Sequence, residues 1–271
     1  LVLDGHSMAF RAFYALPAEN FSTARGQYTN AVHGFTSMLI NLIKDQKPTH
    51  VAVAFDVSDD TTFRKAEYSE YKGGRKATPG EFAGQIGLIA KGMEAWGIRT
   101  IAMPGYEADD VLATLAAQGD AAGFEVLLVS GDRDAFQLIN DNVFVLYPKQ
   151  GVSNIPRMDA AAIEEKYFVK PGLYSDLAAL VGETADNLPG VPGVGPKTAA
   201  KWINLYGGLE GILDNLDSIG GKVGGALKEN IENVKRNRRL NRLLTDLDLP
   251  LTLADLHEPR PDRQAIEDLF E

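Results

Sequence analysis

Short apolar runs alternate with longer stretches of helical periodicity through about residue 150. "LVL" (1–3), "VAVAF" (51–55), "IRTIAM" (98–103), "EVLLVS" (125–130) and "VFVLY" (143–147) read as strands buried on both faces. Between them, "AVHGFTSMLINLIKD", "PGEFAGQIGLIAKGMEAWG" and "ADDVLATLAAQGDAAG" repeat apolar residues at helical spacing. This alternation predicts an α/β fold with a mainly parallel sheet flanked by helices. Beyond about residue 155 no strand pattern remains, so the rest of the chain is expected to be helical, with a boundary between Pro156 and Tyr167. The expected division is residues 1–160 as an α/β part and 161–271 as a helical part.

The pattern gives the acidic residues a common location. In open α/β sheets, ligands bind beyond the carboxyl ends of the strands. Asp4 follows "LVL", Asp56 follows "VAVAF", Asp132 and Asp134 follow "EVLLVS", and "YEADD" (106–110) follows "IRTIAM" after a Pro-Gly turn. One or two acids in a first helical turn complement the helix dipole. The crowding of Glu107, Asp109 and Asp110 goes further, because like charges repel and raise one another's pKa. Clustered carboxylates without matching bases require cations to stay ionised. Two divalent ions would relieve the repulsion and form a clamp suited to phosphoryl transfer. "GETADN" adds Glu183 and Asp186, spaced i, i+3 and so placed on one side of a helix.

Composition narrows the chemistry. The 271 residues contain no Cys, which excludes disulfides, thiolate nucleophiles and Cys-ligated zinc. The four His are scattered, so any metal needs oxygen ligands, which points to magnesium, manganese or calcium. With 45% hydrophobic residues and no apolar run of transmembrane length, a soluble globular protein without a membrane partner is expected.

The net charge of −10 argues against nucleic acid only if it is evenly spread. Lys222 to Arg242 carries seven basic and two acidic residues, and "FRKAEYSEYKGGRK" (63–76) interleaves bases with three aromatics. Such runs are ordinarily solvated helix faces. Beside an acidic cluster they fit an enzyme that holds a phosphate backbone and cuts it with metals. "NLPGVPGVGPKTAAKWI" (187–203) fits neither a dinucleotide fingerprint nor a P-loop. It reads as a Pro-Gly turn opening a helix near Pro196, where backbone N–H groups and the helix dipole favour phosphate. The expected element is a helix-hairpin-helix clamp.

Taken together, "LVLDG", "FRKAEYSEYKGGR", "GYEADDVLATLA", "SGDRDAFQL" and "DNLPGVPGVGPKTA" resemble the flap endonuclease family, in the 5′-nuclease form found in bacterial DNA polymerase I. The resemblance implies a metal-dependent 5′→3′ exonuclease and 5′-flap endonuclease. Asp4, Asp56, Glu107, Asp109, Asp110 and Asp132 would surround a first metal, and Asp134, Glu183 and Asp186 a second, with Asp132 shared. Glu183 stands where the family usually has Asp.

The family pattern also makes Lys72 and Arg75 contacts to the scissile phosphate, Arg11 another phosphate contact, and Phe63 and Tyr71 nearby DNA-binding aromatics. Gly190, Gly193, Gly195, Lys197 and Thr198 would lie in a helix-three-turn-helix element that holds K+ against duplex DNA. Residues from about Val57 to Pro79 would form an arch, disordered without DNA, that passes the free 5′ end. Further implications are Mg2+ or Mn2+ as cofactor, DNA or RNA primer–DNA hybrids as partners in replication and repair, and a monomer. The protein would be cytoplasmic and nucleoid-associated, with the polymerase fused beyond residue 271. The alternatives are a junction-binding module that no longer cuts, and a phosphatase with Asp56 as nucleophile. The latter lacks the second Asp expected at the position of Ser58.

Overall fold

The computed structural model describes residues 1–57, 61–75, 77–149 and 154–270. Ser58 of the phosphatase motif, Lys76 of the basic stretch and the terminal Glu271 lie outside the described residues.

The strands are β1 (Val2–Asp4), β2 (Ala52–Ala54), β3 (Arg99–Ile101), β4 (Val126–Val129), β5 (Val143–Leu146) and β6 (Arg157–Met158), plus the short β7 (Gly182–Glu183) and β8 (Leu188–Pro189). The helices around the sheet are α1 (Gly5–Ala15), α2 (Asn30–Gln46), α3 (Phe63–Glu67), α4 (Gln85–Ala95) and α5 (Ala108–Ala121). Those that follow are α6 (Ala160–Tyr167), α7 (Tyr174–Val181), α8 (Pro196–Tyr206), α9 (Leu209–Asp214), α10 (Gly221–Glu229), α11 (Ile231–Asn241) and α12 (Arg263–Phe270). Among the described residues no helix is long and apolar enough to cross a membrane.

The main sheet has the order β3-β2-β1-β4-β5-β6 and is parallel except for the antiparallel pair β5–β6. Register alternates side chains between its faces. Leu3, Val53, Leu127 and Val129 pack with Met8, Phe35, Leu39, Ile89 and Met93 of α1, α2 and α4. Val2, Ala52, Ala54 and Leu128 face the opposite way, against Val111, Leu112 and Leu115 of α5. That second core continues without a break into Leu177, Trp202, Ile203, Leu227 and Val234 of the helical region.

Two expectations from the sequence need correction. β3 is an edge strand with Arg99 and Thr100 exposed, because the sheet ends there. Strands do occur after residue 155: β6 extends the sheet, and β7 pairs with β8 through Gly182↔Pro189 and Glu183↔Leu188. In the described part of the expected arch, Thr62 caps α3 and Arg64 is buried beneath it.

The chain leaves β1 toward β2 and β3 on one side, then returns to β4 and β5 on the other. The switch point therefore lies between β1 and β4, where a crevice opens beyond the carboxyl ends of the strands.

Candidate metal centre and nucleic-acid interface

Asp4 ends β1 and caps α1, accepting a 2.9 Å hydrogen bond from the Ser7 amide on Oδ1. Its other oxygen faces the Ser130 hydroxyl at the end of β4. The neighbouring loop is fixed by the same serines: Gly131 N–H donates to Ser7 Oγ and Asp132 N–H to Ser130 Oγ, both at 3.0 Å. Asp56, just past β2, accepts from the Ala108 amide at 2.7 Å and so sits on the N-terminus of α5. Its own N–H donates to His6 Nδ1. The strand ends and two helix N-termini thus deliver Asp4, Asp56, Asp109 and Asp132 to one cavity of about 540 Å³, which Lys72, Arg75 and Glu107 also line.

A second cavity, of about 560 Å³, continues from the first, sharing Asp132 and Arg75 and adding Glu183 and Asp186. At its edge, carboxylate oxygens of Asp134, Glu183 and Asp186 lie within 4.8 Å of one another. Asp134 is held by the 3₁₀ turn that starts at that residue, and its N–H donates to Asp132 Oδ1 at 2.9 Å.

The electrostatics of both groups are unfavourable to free carboxylates. Burial pushes Asp4 up to about 7, with Asp56 and Asp132 adding repulsion. Burial pushes Glu183 up to about 8, again with Asp132 and Asp186 repelling it. Asp109 and Asp134 are raised well above the ordinary carboxylate range, first by burial and then by Asp4 and Glu183 respectively. Asp109 Oδ1, Asp134 Oδ1 and Glu183 Oε2 are buried without a hydrogen-bond partner among the described residues. Orphaned buried acceptors are rare in folded proteins. Oxygen donors converging in this way fit hard divalent cations.

Residues 1–168 match the model of the N-terminal resolvase-like domain of 5′-3′ exonucleases. Residues 169–264 match the model of the C-terminal SAM fold of the same enzymes. The chain belongs to the 5′-3′ exonuclease family. It is 54% identical over 271 residues to DNA polymerase I of Mycobacterium tuberculosis, covering all of this chain and 30% of that protein. It is 40% identical to DNA polymerase I of Bacillus caldotenax, spanning 31% of its length. The zinc-bound 5′-exonuclease of T5 shares the fold, with a TM-score of 0.72 at 23% identity over 89% of this chain and 88% of that one. The bacteriophage T5 D15 flap endonuclease, in a complex with DNA and metal ions, has a TM-score of 0.73 at 24% identity, covering 88% and 87% of the two chains.

Within this chain, most acids singled out from the sequence converge, and Asp110 does not. It is fully buried, and its carboxylate accepts from Arg64 Nη1 at 2.6 Å and Nη2 at 2.8 Å. It also accepts from the amides of Glu107 and Leu244. Asp110 therefore braces the site and is removed from the metal group. Glu107 stands at the rim, with Lys72 Nζ at 2.5 Å, the Tyr71 hydroxyl at 3.2 Å and Arg64 Nη1 at 3.3 Å.

Tyr71 also needs correction as a DNA-facing aromatic. It is 3% exposed, lies under the acids, and its hydroxyl is raised well above the ordinary phenol range by burial and by Glu107. Glu183 and Asp186 share no α-helix: one closes β7 and the other ends a 3₁₀ turn.

Lys72 has its ordinary pKa raised despite burial, because Glu107 and Asp186 hold the ammonium form. Arg75 is half exposed and donates to Asp186 at 3.2 Å. Arg11 and Tyr14 line a neighbouring cavity on α1 that shares Ser7, Phe10 and Gly131 with the first. Phe63 begins α3, half-buried against Tyr106.

In the glycine stretch, a Cβ at Gly190 would fall 2.0 Å from the Val181 carbonyl, so that glycine serves the close approach of two chain segments. Gly193 adopts φ +80 in an exposed turn, Gly195 caps α8, and Lys197 and Thr198 occupy its first turn. Sequence reasoning missed Arg64, which lay inside a basic run with nothing to mark it as buried. It also missed Ser7 and Ser130, whose hydroxyls fix the loops that carry Asp4 and Asp132.

Proposed function

We propose that this chain hydrolyses phosphodiester bonds of DNA bearing a free 5′ end or 5′ flap, with two divalent ions held by the two acid groups. The reading is carried by the adjacency of those groups across Asp132, with three buried carboxylate oxygens left unpartnered. Asp4, Asp56, Glu107, Asp109 and Asp132 would hold one ion, and Asp132, Asp134, Glu183 and Asp186 the other. Bound there, the ions would supply Lewis-acid stabilisation of the phosphate and an ionised water nucleophile.

The chain's own residues then orient the substrate. Lys72, which lines the first cavity, and Arg75, which lines both, bring positive charge to the scissile phosphate as its negative charge grows. The oxygen-only donor set favours Mg2+ or Mn2+. We assign residues 1–160 to the α/β nuclease part and 161–271 to a helical part that completes the metal site through Glu183 and Asp186 and holds duplex DNA, with Gly193, Gly195, Lys197 and Thr198 contacting its backbone. Resemblance extends the reading to K+ at the glycine turn, RNA primers among the substrates, a monomer, and work at the nucleoid. Asp56 already caps α5, and membership of the exonuclease family opposes its use as a phosphatase nucleophile.

Incubation of a labelled 5′-flap duplex with Mg2+ or Mn2+ tests the proposal. Metal-dependent cutting at the flap junction, abolished by EDTA, is expected. Tight flap binding with no cutting in either metal would overturn it in favour of a junction-binding module.

A further inference from the structure

Among the described residues, four that are not glycine have left-handed backbones: Lys47, Lys72, Phe168 and Asn187. Lys47, Phe168 and Asn187 close helical turns, where such a backbone is common. Lys72 closes no helix, and at φ 55 it holds this conformation although Gly73 and Gly74, which would adopt it without strain, come next. Strain of this kind persists only where neighbouring contacts fix it. Those contacts come from residues 186 and 187: Lys72 N–H donates to the Asp186 carbonyl at 3.0 Å, and Asn187 Nδ2 donates to the Glu70 carbonyl at 2.9 Å. The Glu70 carbonyl also accepts from Gly73 N–H at 2.9 Å, so the Asn187 amide grips the base of the turn that contains Lys72. From this turn the Lys72 ammonium reaches Glu107 in the first acid group.

We propose that Asn187 is a positioning residue for phosphodiester cleavage, which holds the left-handed turn at Lys72 and so sets where the Lys72 cation stands over the acids. The inference rests on the nuclease reading above. The Asn187 amide donates to a backbone carbonyl, so it acts through Lys72 rather than on the phosphate. A cation that stabilises charge growing on a phosphate must be held in place beforehand, and a displacement of about 1 Å is costly to the rate. Asn also tolerates the left-handed backbone that position 187 itself adopts, at φ 58, so one residue meets both demands.

The test uses Asn187→Gly, which keeps the left-handed backbone at 187 and removes only the amide. On a 5′-flap duplex in Mg2+, kcat should fall about tenfold, the scale of one lost hydrogen bond, with KM within about a factor of two. In a Lys72→Ala background the same change should cost less than about twofold, because the two residues act as one unit. Mn2+ binding to the DNA-free protein, followed by electron paramagnetic resonance, should be unaltered, since the acids keep their places. An unchanged kcat, an equal loss in the Lys72→Ala background, or weakened Mn2+ binding would overturn the proposal. Hydrogen exchange of the Lys72 and Gly73 amides in metal-free protein gives a readout apart from cleavage, and Asn187→Gly should speed it about tenfold. If the unaltered protein cuts no flap, the nuclease reading fails; unchanged exchange would separately overturn the hold of Asn187 on the turn.

Discussion

Asp109 and Asp110 are adjacent in sequence and have opposite fates. Asp110 turns inward and is neutralised by Arg64, whereas Asp109 keeps an unpartnered oxygen among like charges. Asp109→Asn is therefore expected to abolish flap cleavage while changing flap Kd only a few-fold. Cleavage within a few-fold of the original rate would remove Asp109 from the site. The crowded charge also has a thermodynamic signature. The ordinary carboxylate pKa is about 4, whereas the folded protein holds Asp4 at about 7 and Glu183 at about 8. Between those limits the folded state binds more protons than the unfolded state, so stability falls as pH rises. Thermal unfolding of the metal-free protein should show Tm decreasing from pH 5 to pH 8, and Mg2+ should raise Tm more at pH 8 than at pH 5. A pH-independent Mg2+ effect would contradict this account. The sequence exposed the acids but not their orientation, because helical phase alone does not say which neighbour is neutralised.

The helix α3 joins the rim of the site to the helical region. Arg64 donates to the Leu240 carbonyl at 2.7 Å, Arg239 pairs with Glu67, and Arg236 lies over the Tyr68 ring at 4.0 Å. A buried ion pair broken on one side leaves a charge without compensation, at a cost of about 3–5 kcal/mol. Arg64→Met should destabilise the protein by that amount in urea unfolding, and adding Asp110→Leu should recover part of the loss. A loss below about 1 kcal/mol would show that the latch is not structural. This element was the least legible from sequence. "FRKAEYSEYKGGR" looked polar and mobile, because burial of Arg64 depends on carbonyls 176 and 178 residues away. The parallel strands were legible, since buried strands are continuous apolar runs. The two-residue strands β7 and β8 are set by the Gly182–Gly190 approach and leave no periodicity to read.

For the whole molecule, the continuous core from the α5 face of the sheet into the helices fixes the acids relative to the glycine turn. A chain of net charge −10 still presents local basic segments, so DNA binding should depend on those segments and weaken steeply with salt. Flap Kd measured across KCl concentrations should give a linear log–log plot of marked slope; a flat plot would exclude backbone recognition. Fold class and the strand-end location of the site followed from alternation and the placement of acids. The sharing of Asp132 came only through the family resemblance and not from the residue pattern, because it depends on how the 130–134 loop turns beneath Ser7 and Ser130. That sharing is the centre of the account. Single-turnover cleavage of a 5′-flap duplex in Mg2+ by Asp132→Asn tests it most directly. A rate loss of at least about a hundredfold, with flap binding retained, is the predicted result. A rate within a few-fold of the unaltered protein would contradict it.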